Sequence, residues 1–561
     1  MVTQAEQRPW LAHYDADVPH HIEYPDITLP EMLAQSAAAY PRRVATRFYD
    51  AALTYGHLSA LVDRFAGALH ELGVRQGDRV AVMLPNVPQF PIAFYAILRL
   101  GAIAVPTNPL YKQHELTYQL NDAGARTLIV LDRLYATARR ALPATEVRNV
   151  ICTGVQDFLP RAKAMLYPLK SRHDGTPLPR LKGAGVLQMR QLLHHAPWRE
   201  PTPATPDDIA VLQYTGGTTG TSKGAMLTHR NLVVNAVQVW HWKPVAPDAA
   251  DATLCVTPFF HVYGLTVGMN SSIYGGLPML LLPRFIPADV LTVIRKYRPT
   301  RFPGVPTMYL ALANYPGITP DDCASLRICI SGSAPLPREV QESFKRAAGG
   351  EVVEGYGLTE ASPVTHSNPL GRYKSGTVGV PYPDTEAAIV DRATGERLPP
   401  GQAGELIVRG PQVMRGYWNR PEETAQVLKD GWLFTGDIAT MDTDGYFTIL
   451  DRAKDLIIAG GFNIYPREVE EVLFTHPAVA EAAVCGVPDA YRGETVKAFI
   501  VLKDGAQAGE EEIITYCRER LATFKAPRQV EFRDSLPKTA VGKVLRRELA
   551  ASWEPAIKAA G

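Results

Sequence analysis

From Arg79 onward, short apolar runs alternate with stretches of helical spacing, a rhythm that few folds can accept. RVAVMLPN, Arg79 to Asn86, reads as a strand, and FPIAFYAILRLGA then repeats its apolar residues at helical spacing and ends at glycine. AIAVP follows as a strand, HELTYQLNDAGA as a helix ending at Gly124, and TLIVL as a strand again. Further along come IAVLQYT, a helix from about His229 to Trp240, TLCVT, PMLLLP, a helix from about Ala288 to Tyr297, and RICISG. Strands and helices alternating in this way build βαβ units, and each crossover helix leaves its two strands parallel. The expected fold class is α/β, with a large N-terminal domain of parallel α/β layers over residues 1–450.

Within that stretch the texture changes at about Gly376. Short β-rich runs such as EAAIVD and GELIVRG lie between Gly, Pro and Asp turns, which predicts a smaller β subdomain over 376–450. After Asp451 a compact α+β unit is expected over 451–561, with helix YPREVEEVLFTH, strands AAVCGV and KAFIVL, helix EEEIITYCRERL and a basic tail. Such a division suits a chain of 561 residues that is 46% hydrophobic, which is more than one core can bury.

Charge and cysteine usage narrow the function. Lys plus Arg number 58 against 57 for Asp plus Glu, a net charge of +1, so no basic field draws the chain onto nucleic acid. Six scattered cysteines form no CxxC pair and read as reduced core thiols. The N-terminal stretch lacks the positive start and apolar run of a signal peptide, so a cytoplasmic protein is expected. Leu254 to Pro283 holds no charged residue and is long enough for a membrane span, yet its prolines, glycines and polar residues break up any such helix. It reads better as a buried strand, helix and strand in a large core, lining an apolar cavity. The segment Leu159 to Arg190 sets Arg161, Lys163, Lys170, Arg172, Arg180, Lys182 and Arg190 against Asp174, with Leu159, Met165, Leu166, Tyr167 and Leu169 among them. Two readings stand: a solvated surface loop, or a basic, partly amphipathic insert resting on an anionic membrane at its inner face.

The strongest local signal is YTGGTTGTSKG, Tyr214 to Gly224, directly after the apolar run IAVLQ. Its glycines let backbone N–H groups approach an anion, its hydroxyls add donors, and Lys223 adds charge. The GxxxxGK[ST] spacing fails here, so this phosphate cradle is not a Walker loop. The plain alternative is a Gly and Thr rich turn that holds no ligand.

This loop resembles the signature of the adenylate-forming synthetase superfamily of acyl-CoA synthetases, luciferases and peptide-synthetase adenylation domains. The partner motifs follow in order: PFFHVYGL at Pro258, SGSAPLP at Ser331, EGYGLTEASP at Glu354, GWLFTGD at Gly431, DRAKDLIIAGGFNIYPREVE at Asp451 and LPKTAVGKVLRREL at Leu536. Beyond the superfamily, LQYTGGTTG, YQLNDAGA, GPQVMRGYW and FNIYPREVE are similar to bacterial long-chain fatty acid CoA ligases of the AMP-forming type. The implied fold is that of luciferases and acyl-CoA synthetases, with a mobile C-terminal domain. The implied activity joins a fatty acid, ATP and coenzyme A, with Mg²⁺, through an acyl-adenylate. A homodimer is compatible with this reading.

By this resemblance Thr215, Gly216, Thr218, Thr219, Gly220 and Lys223 hold phosphates, while Thr215 and Glu360 place Mg²⁺. Gly332, Ser333 and Ala334, with Gly355, Tyr356 and Gly357, form the adenine slot, although Tyr356 also reads as a plain core tyrosine, and Glu354 and Thr359 count among the cofactor-binding residues. Asp437 accepts the ribose hydroxyls and Arg452 contacts ribose or phosphate. Lys543 is the mobile cation at the α-phosphate, though taken alone it reads as a solvated tail charge. Asp451 is the hinge about which the small domain turns, so that Gly461 and its loop replace Lys543 while coenzyme A attacks. His261 is either an active-site wall near the acyl carbonyl or a core histidine. Some long-chain relatives carry a gating tryptophan just after this histidine; Tyr263 and Gly264 stand here, so gating does not carry over, while Val262 to Leu282 becomes one wall of an acyl tunnel.

Competing readings use the same machinery: a medium-chain, aryl or branched-acid CoA ligase, or a luciferase-like enzyme. A peptide-synthetase adenylation domain is disfavoured, since no carrier domain precedes Gly561. A lipid-binding or transport protein without catalysis is disfavoured by the presence of Glu360, Asp437, Arg452 and Lys543 together.

Overall fold

The computed structural model describes residues 8–173, 178–179, 185–215, 222–242, 251–459, 462–489, 492–540 and 542–552. Two large sheets carry the first four-fifths of the chain. In the eight-stranded sheet the spatial order is Gly416–Tyr417, Lys223–Thr228, Ile209–Thr215, Ile103–Pro106, Arg79–Met83, Thr127–Leu131, Asn149–Thr153 and Leu187–Gln188. All neighbours from Ile209–Thr215 outward to Leu187–Gln188 are parallel, as the βαβ rhythm requires. Lys223–Thr228 instead folds back antiparallel on Ile209–Thr215, with Thr215 opposite Lys223.

The nine-stranded sheet has a parallel centre of Val353–Gly357, Ile328–Ser331, Arg301–Gly304, Thr253–Cys255, Met279–Leu281 and Val44–Phe48. Antiparallel strands close both of its edges. Helix Gln89–Arg99 is buried on every side from Gln89 to Leu98, and helix His229–Trp242 nearly so. A helix that is apolar all round needs cover on all faces, and both pack among the large sheets. Phe90, Phe94 and Phe259 meet in this region, with ring centroids 6.3 Å and 5.6 Å from that of Phe90. Removing one such ring typically costs about 3–5 kcal/mol.

Elements expected from sequence recur with small shifts. Thr127–Leu131 and Ile209–Thr215 are strands over the residues expected, and helix Gln113–Ala123 ends at Gly124, whose φ of +62° is the left-handed cap that glycine adopts without strain. The uncharged stretch resolves into strand Thr253–Cys255, a helical segment from Gly264 to Tyr274 and strand Met279–Leu281, nearly all buried. Among the described residues no helix is long and apolar enough to cross a membrane. The basic insert contains a helix, Arg161–His173, so this part of it is not the loop that one of the two readings expected.

Antiparallel strands Glu386–Val390, Gly404–Arg409, Trp432–Met441 and Phe447–Arg452, with Leu428–Lys429, form the β-rich sheet. The last of these strands contains Asp451. The chain then enters a separate five-stranded sheet of Ile457–Ala459, Phe462–Ile464, Val479–Asp489, Gly493–Leu502 and Gln529–Phe532, flanked by helices Pro466–Phe474 and Glu510–Arg518. The whole is an α/β molecule with a small C-terminal domain.

Candidate active site

Strand Val353–Gly357 carries VEGYG along the edge of a cavity of about 240 Å³ that lies between the large and small domains. Glycine is required at Gly357, where a Cβ would sit 2.2 Å from the Pro363 carbonyl oxygen. The Tyr356 hydroxyl donates to Asp437 Oδ2 at 2.5 Å, and Arg452 Nε meets Asp437 Oδ1 at 3.1 Å. Sheet register explains the second contact, because Asp437 and Arg452 face one another across the pair of strands that carries them. Burial, reinforced by Asp437, raises the Tyr356 pKa well above its usual value and keeps the phenol neutral. Behind the Tyr356 ring lies His366, centroids 5.9 Å apart; burial lowers its pKa to about 3, so it is an uncharged wall. Ser333 and Ala334 line the same cavity, and the Tyr263 ring lies against Gly332, where a Cβ would come within 3.2 Å. The result is a slot for a flat ring, ending in a carboxylate already held by a phenol and a guanidinium.

Lys543 enters this cavity from the small domain. Burial lowers its pKa to about 8, with Arg452 acting in the same direction and Asp437 and Asp455 opposing. It stays mostly protonated at neutral pH, as a cation poorly served by solvent. The neighbouring Gly542 has φ +76° and comes so close to the large domain that a Cβ would meet Thr307 Oγ1 at 2.9 Å. His261 lies within electrostatic reach of Lys543; burial, then Lys543, lowers its pKa to about 4. It is therefore a neutral imidazole near Lys543, which suits a wall better than a proton carrier at neutral pH.

On the phosphate side, Thr215 ends its strand and its carbonyl accepts the Ser222 hydroxyl at 2.5 Å. Lys223 pairs with Glu423 and lies 5.2 Å from the centre of the Tyr417 ring. The Tyr417 hydroxyl donates to Glu360 Oε1 at 2.7 Å, and the Met414 N–H donates to the Glu360 carbonyl at 2.7 Å. Residues 414–418 thus stitch the turn Thr359–Ala361 to the strand of Lys223. Gly216, Thr218, Thr219, Gly220 and Gly461 lie outside the described residues. Among those described, no three His, Cys, Asp or Glu side chains cluster as metal ligands. Thr215 and Glu360 offer oxygen donors, the ligand type a hard cation takes, with phosphate and water able to supply the rest.

Several contacts here carry no local sequence signal. Glu354, expected beside the nucleotide, gives both carboxylate oxygens to Arg467 of the small domain, at 3.2 Å each. Arg546, in the motif of Lys543, sits half-buried among Asp451 at 3.0 Å, Asp455 at 3.6 Å and Glu470 at 2.8 Å. Burial works against its charge, but these carboxylates outweigh it and raise its pKa. The position after Tyr263 has no room for a gating side chain: a Cβ on Gly264 would lie 2.2 Å from the Pro258 carbonyl oxygen. Val267, from the uncharged run, borders a second cavity of about 20 Å³ with Trp242, Pro303 and Ile330.

Comparison with known proteins adds the context. Residues 33–418 match the AMP-binding enzymes, and residues 468–543 match the AMP-binding enzyme C-terminal domain. A long-chain-fatty-acid--CoA ligase of Bacillus subtilis (strain 168) is 50% identical over 550 residues, covering 97% of this chain and 98% of that protein. The enzyme of that name from Escherichia coli O6:H1 is 41% identical with the same coverage. A feruloyl-CoA synthase of Amycolatopsis is 39% identical over 91% of this chain and 96% of its own length. Among solved structures, an anthranilate CoA ligase in complex with anthranoyl-AMP superposes with a TM-score of 0.85 at 29% identity, over 97% of this chain and 99% of the other. ATP-bound MatB from Rhodopseudomonas palustris gives 0.82 at 32% identity, over 94% and 99%.

Proposed function

The chain belongs to the family of AMP-binding enzymes, and from that premise we propose that it is an AMP-forming long-chain fatty acid CoA ligase. Fatty acid, ATP and coenzyme A become acyl-CoA, AMP and pyrophosphate. The observation that carries the reading is the arrival of Lys543, from the small domain, in the cavity walled by Tyr356 and Asp437.

In the first half-reaction the fatty acid carboxylate attacks the α-phosphorus of ATP and pyrophosphate leaves with the bonding electrons. Tyr356 stacks on the base, and Asp437, oriented by Tyr356 and Arg452, accepts the ribose hydroxyls. Lys543 brings a poorly solvated cation to the charge that develops on the phosphate, where a preorganised donor acts most strongly. The hydroxyls and N–H groups of 215–223 hold the phosphates, with Lys223 beside them. Thr215 and Glu360, the latter fixed by Tyr417, would hold Mg²⁺, which supplies charge neutralisation when bound.

In the second half-reaction the thiolate of coenzyme A attacks the acyl carbonyl and AMP leaves. We assign the hinge to Asp451, with the large domain over 1–450, its β-rich part over 376–450, and the mobile domain over 451–561. Ile458 and Phe462, on the antiparallel strands Ile457–Ala459 and Phe462–Ile464 of the small domain, are 53% and 56% exposed in the present orientation. Such unburied apolar residues suit a hairpin that enters the active site in the other orientation.

Incubation with Mg-ATP, coenzyme A and a mixed acid panel, read by thioester mass, tests the assignment; long-chain acyl-CoA should dominate. Dominant aryl thioesters would favour a second reading, an aryl-acid CoA ligase, which the likeness to a feruloyl-CoA synthase supports. Absence of every thioester would leave the lipid-carrier alternative.

Helix Arg161–His173 supports a proposal for the site of action. It exposes Met165 by 80%, Leu166 by 62% and Leu169 by 63%, with Arg161, Lys170 and Arg172 beside them. Apolar residues rimmed by cations suit an anionic bilayer, and they support our reading of a cytoplasmic enzyme that rests peripherally on the inner membrane face. Exchanging Met165, Leu166 and Leu169 for Ser should abolish co-sedimentation with anionic vesicles at low salt; equal sedimentation would refute the contact.

A further inference from the structure

Lys543 reaches the cavity only when the small domain sits where this structure places it, yet no apolar cluster among the described residues joins the two domains. The small domain's clusters draw on residues 457–550, and those of the large domain on residues 10–449. The orientation is held by polar contacts instead. Helix Pro466–Phe474 presents Arg467 and Glu471, one turn apart, to the large domain. Arg467 Nη2 donates to both oxygens of Glu354 at 3.2 Å, its Nη1 donates to the Ile449 carbonyl at 3.0 Å, and its backbone N–H donates to Asp451 Oδ2 at 3.0 Å. The two side chains are 10% and 6% exposed. Burial raises the Glu354 pKa while Arg467 and the Leu336 N–H oppose the rise. Glu471, likewise raised by burial, is countered by Arg467 and by the backbone and guanidinium of Arg338.

We propose that Arg467 is a positioning residue: by clamping Glu354 it sets the small domain in the orientation that delivers Lys543, and releasing that clamp admits the second half-reaction. Its partner occupies the telling place, since Glu354 directly precedes Gly355 and Tyr356 of the nucleotide wall. The chemistry also suits a clamp that must open. A buried ion pair pays a desolvation penalty that offsets much of its attraction, whereas separated partners regain water. An apolar seam of equal size would resist opening far more.

The inference rests on the ligase reading, and the test separates the two. Arg467→Gln, which cannot neutralise Glu354, and Arg467→Lys, which keeps the charge but loses the fork, are compared with wild type in two assays. Pyrophosphate release from fatty acid and ATP reads the first half-reaction; acyl-CoA formed from synthetic acyl-adenylate and coenzyme A reads the second. Pyrophosphate release should fall about tenfold to a hundredfold in Arg467→Gln and by less in Arg467→Lys, with thiolysis unchanged or faster. Equal losses in both assays, or no loss in either, would overturn the clamp. If Arg467→Gln does not fold, the same split in Arg467→Lys decides. If wild type makes no acyl-adenylate, the ligase reading falls. The clamp is then judged by energy transfer between dyes on the two domains, which must show a more open Arg467→Lys.

Discussion

Val80 and Val82 of the eight-stranded sheet, Phe48 and Met279 of the nine-stranded sheet, and Ile389 and Leu406 of the β-rich sheet belong to one apolar cluster. At the boundary with the small domain the cluster stops and charged side chains meet instead, Arg467 with Glu354, while Glu471 lies within electrostatic reach of Arg338. Opening the first seam would return apolar area to water at about 25 cal/mol per Å², so the three sheets move as one body. Opening the second exchanges protein contacts for water contacts at small net cost. Under the proposed mechanism both bound the same reactants, and the comparison assigns the apolar seam to the wall that stays and the ionic seam to the one that moves.

The largest expected effect tests the moving wall. Lys543→Ala should slow pyrophosphate release by about a hundredfold to a thousandfold, the roughly 3–4 kcal/mol that one preorganised donor contributes to a transition state. Thiolysis of supplied acyl-adenylate should persist, because in the proposed alternation Lys543 has left the site before that step. Equal loss in both assays would mean that the small domain does not alternate.

A core substitution tests the fixed seam. Leu406→Ala empties a fully buried site in the shared cluster and should cost about 2–5 kcal/mol in denaturant unfolding. Its transition should take the large sheets with it and leave hydrogen exchange in helix Glu510–Arg518 unchanged. Loosening of that helix to the same degree would show that the seams are coupled.

Tyr356→Phe tests the fixed wall by a smaller effect. It removes the bond to Asp437 at 2.5 Å while leaving Arg452 in place, so KM for ATP should rise about tenfold, within the range for hydrogen bonds to charged groups. The nucleotide stays bound through both steps, so pyrophosphate release and thiolysis should suffer together, opposite to Lys543→Ala. A loss confined to one half-reaction would remove Tyr356 from the wall.

What the sequence made legible divides along the same line. The parallel sheets were readable because their information is local: period, glycine stops and apolar runs such as TLIVL sit within a few residues of one another. The wall was readable because EGYGLTE and TGD occur in a recognisable series. Arg467 was not, since its partner lies 113 positions earlier and nothing in PREVE distinguishes a clamp from a solvated helix face. Arg546 carries no local signal for the same reason, with Glu470 76 positions away. Tyr417 and Glu360 meet across 57 positions, a pairing fixed by the short strand Gly416–Tyr417 rather than by any pattern. The gating residue absent from sequence has a steric explanation only in three dimensions, in the carbonyls that crowd Gly264.

The smallest effect is a proton equilibrium, and it reports the moving wall directly. Burial of Lys543 disfavours its charged form, so in the docked orientation its pKa is about 8, below the 10.5 of an ordinary lysine. Between those values the docked state binds fewer protons than an undocked one, so raising pH through this window favours docking of the free enzyme. Below about pH 8 both states carry the charge and docking includes its full desolvation cost. ATP reverses the argument, because its phosphates favour the cation and should move the pKa upward. Lysine-selective labelling with NMR detection should therefore give Lys543 a midpoint near pH 8 in the free enzyme and a higher one with ATP present. A free-enzyme midpoint near 10.5 would mean that the small domain rests undocked in solution and that the ionic seam forms only once nucleotide has bound.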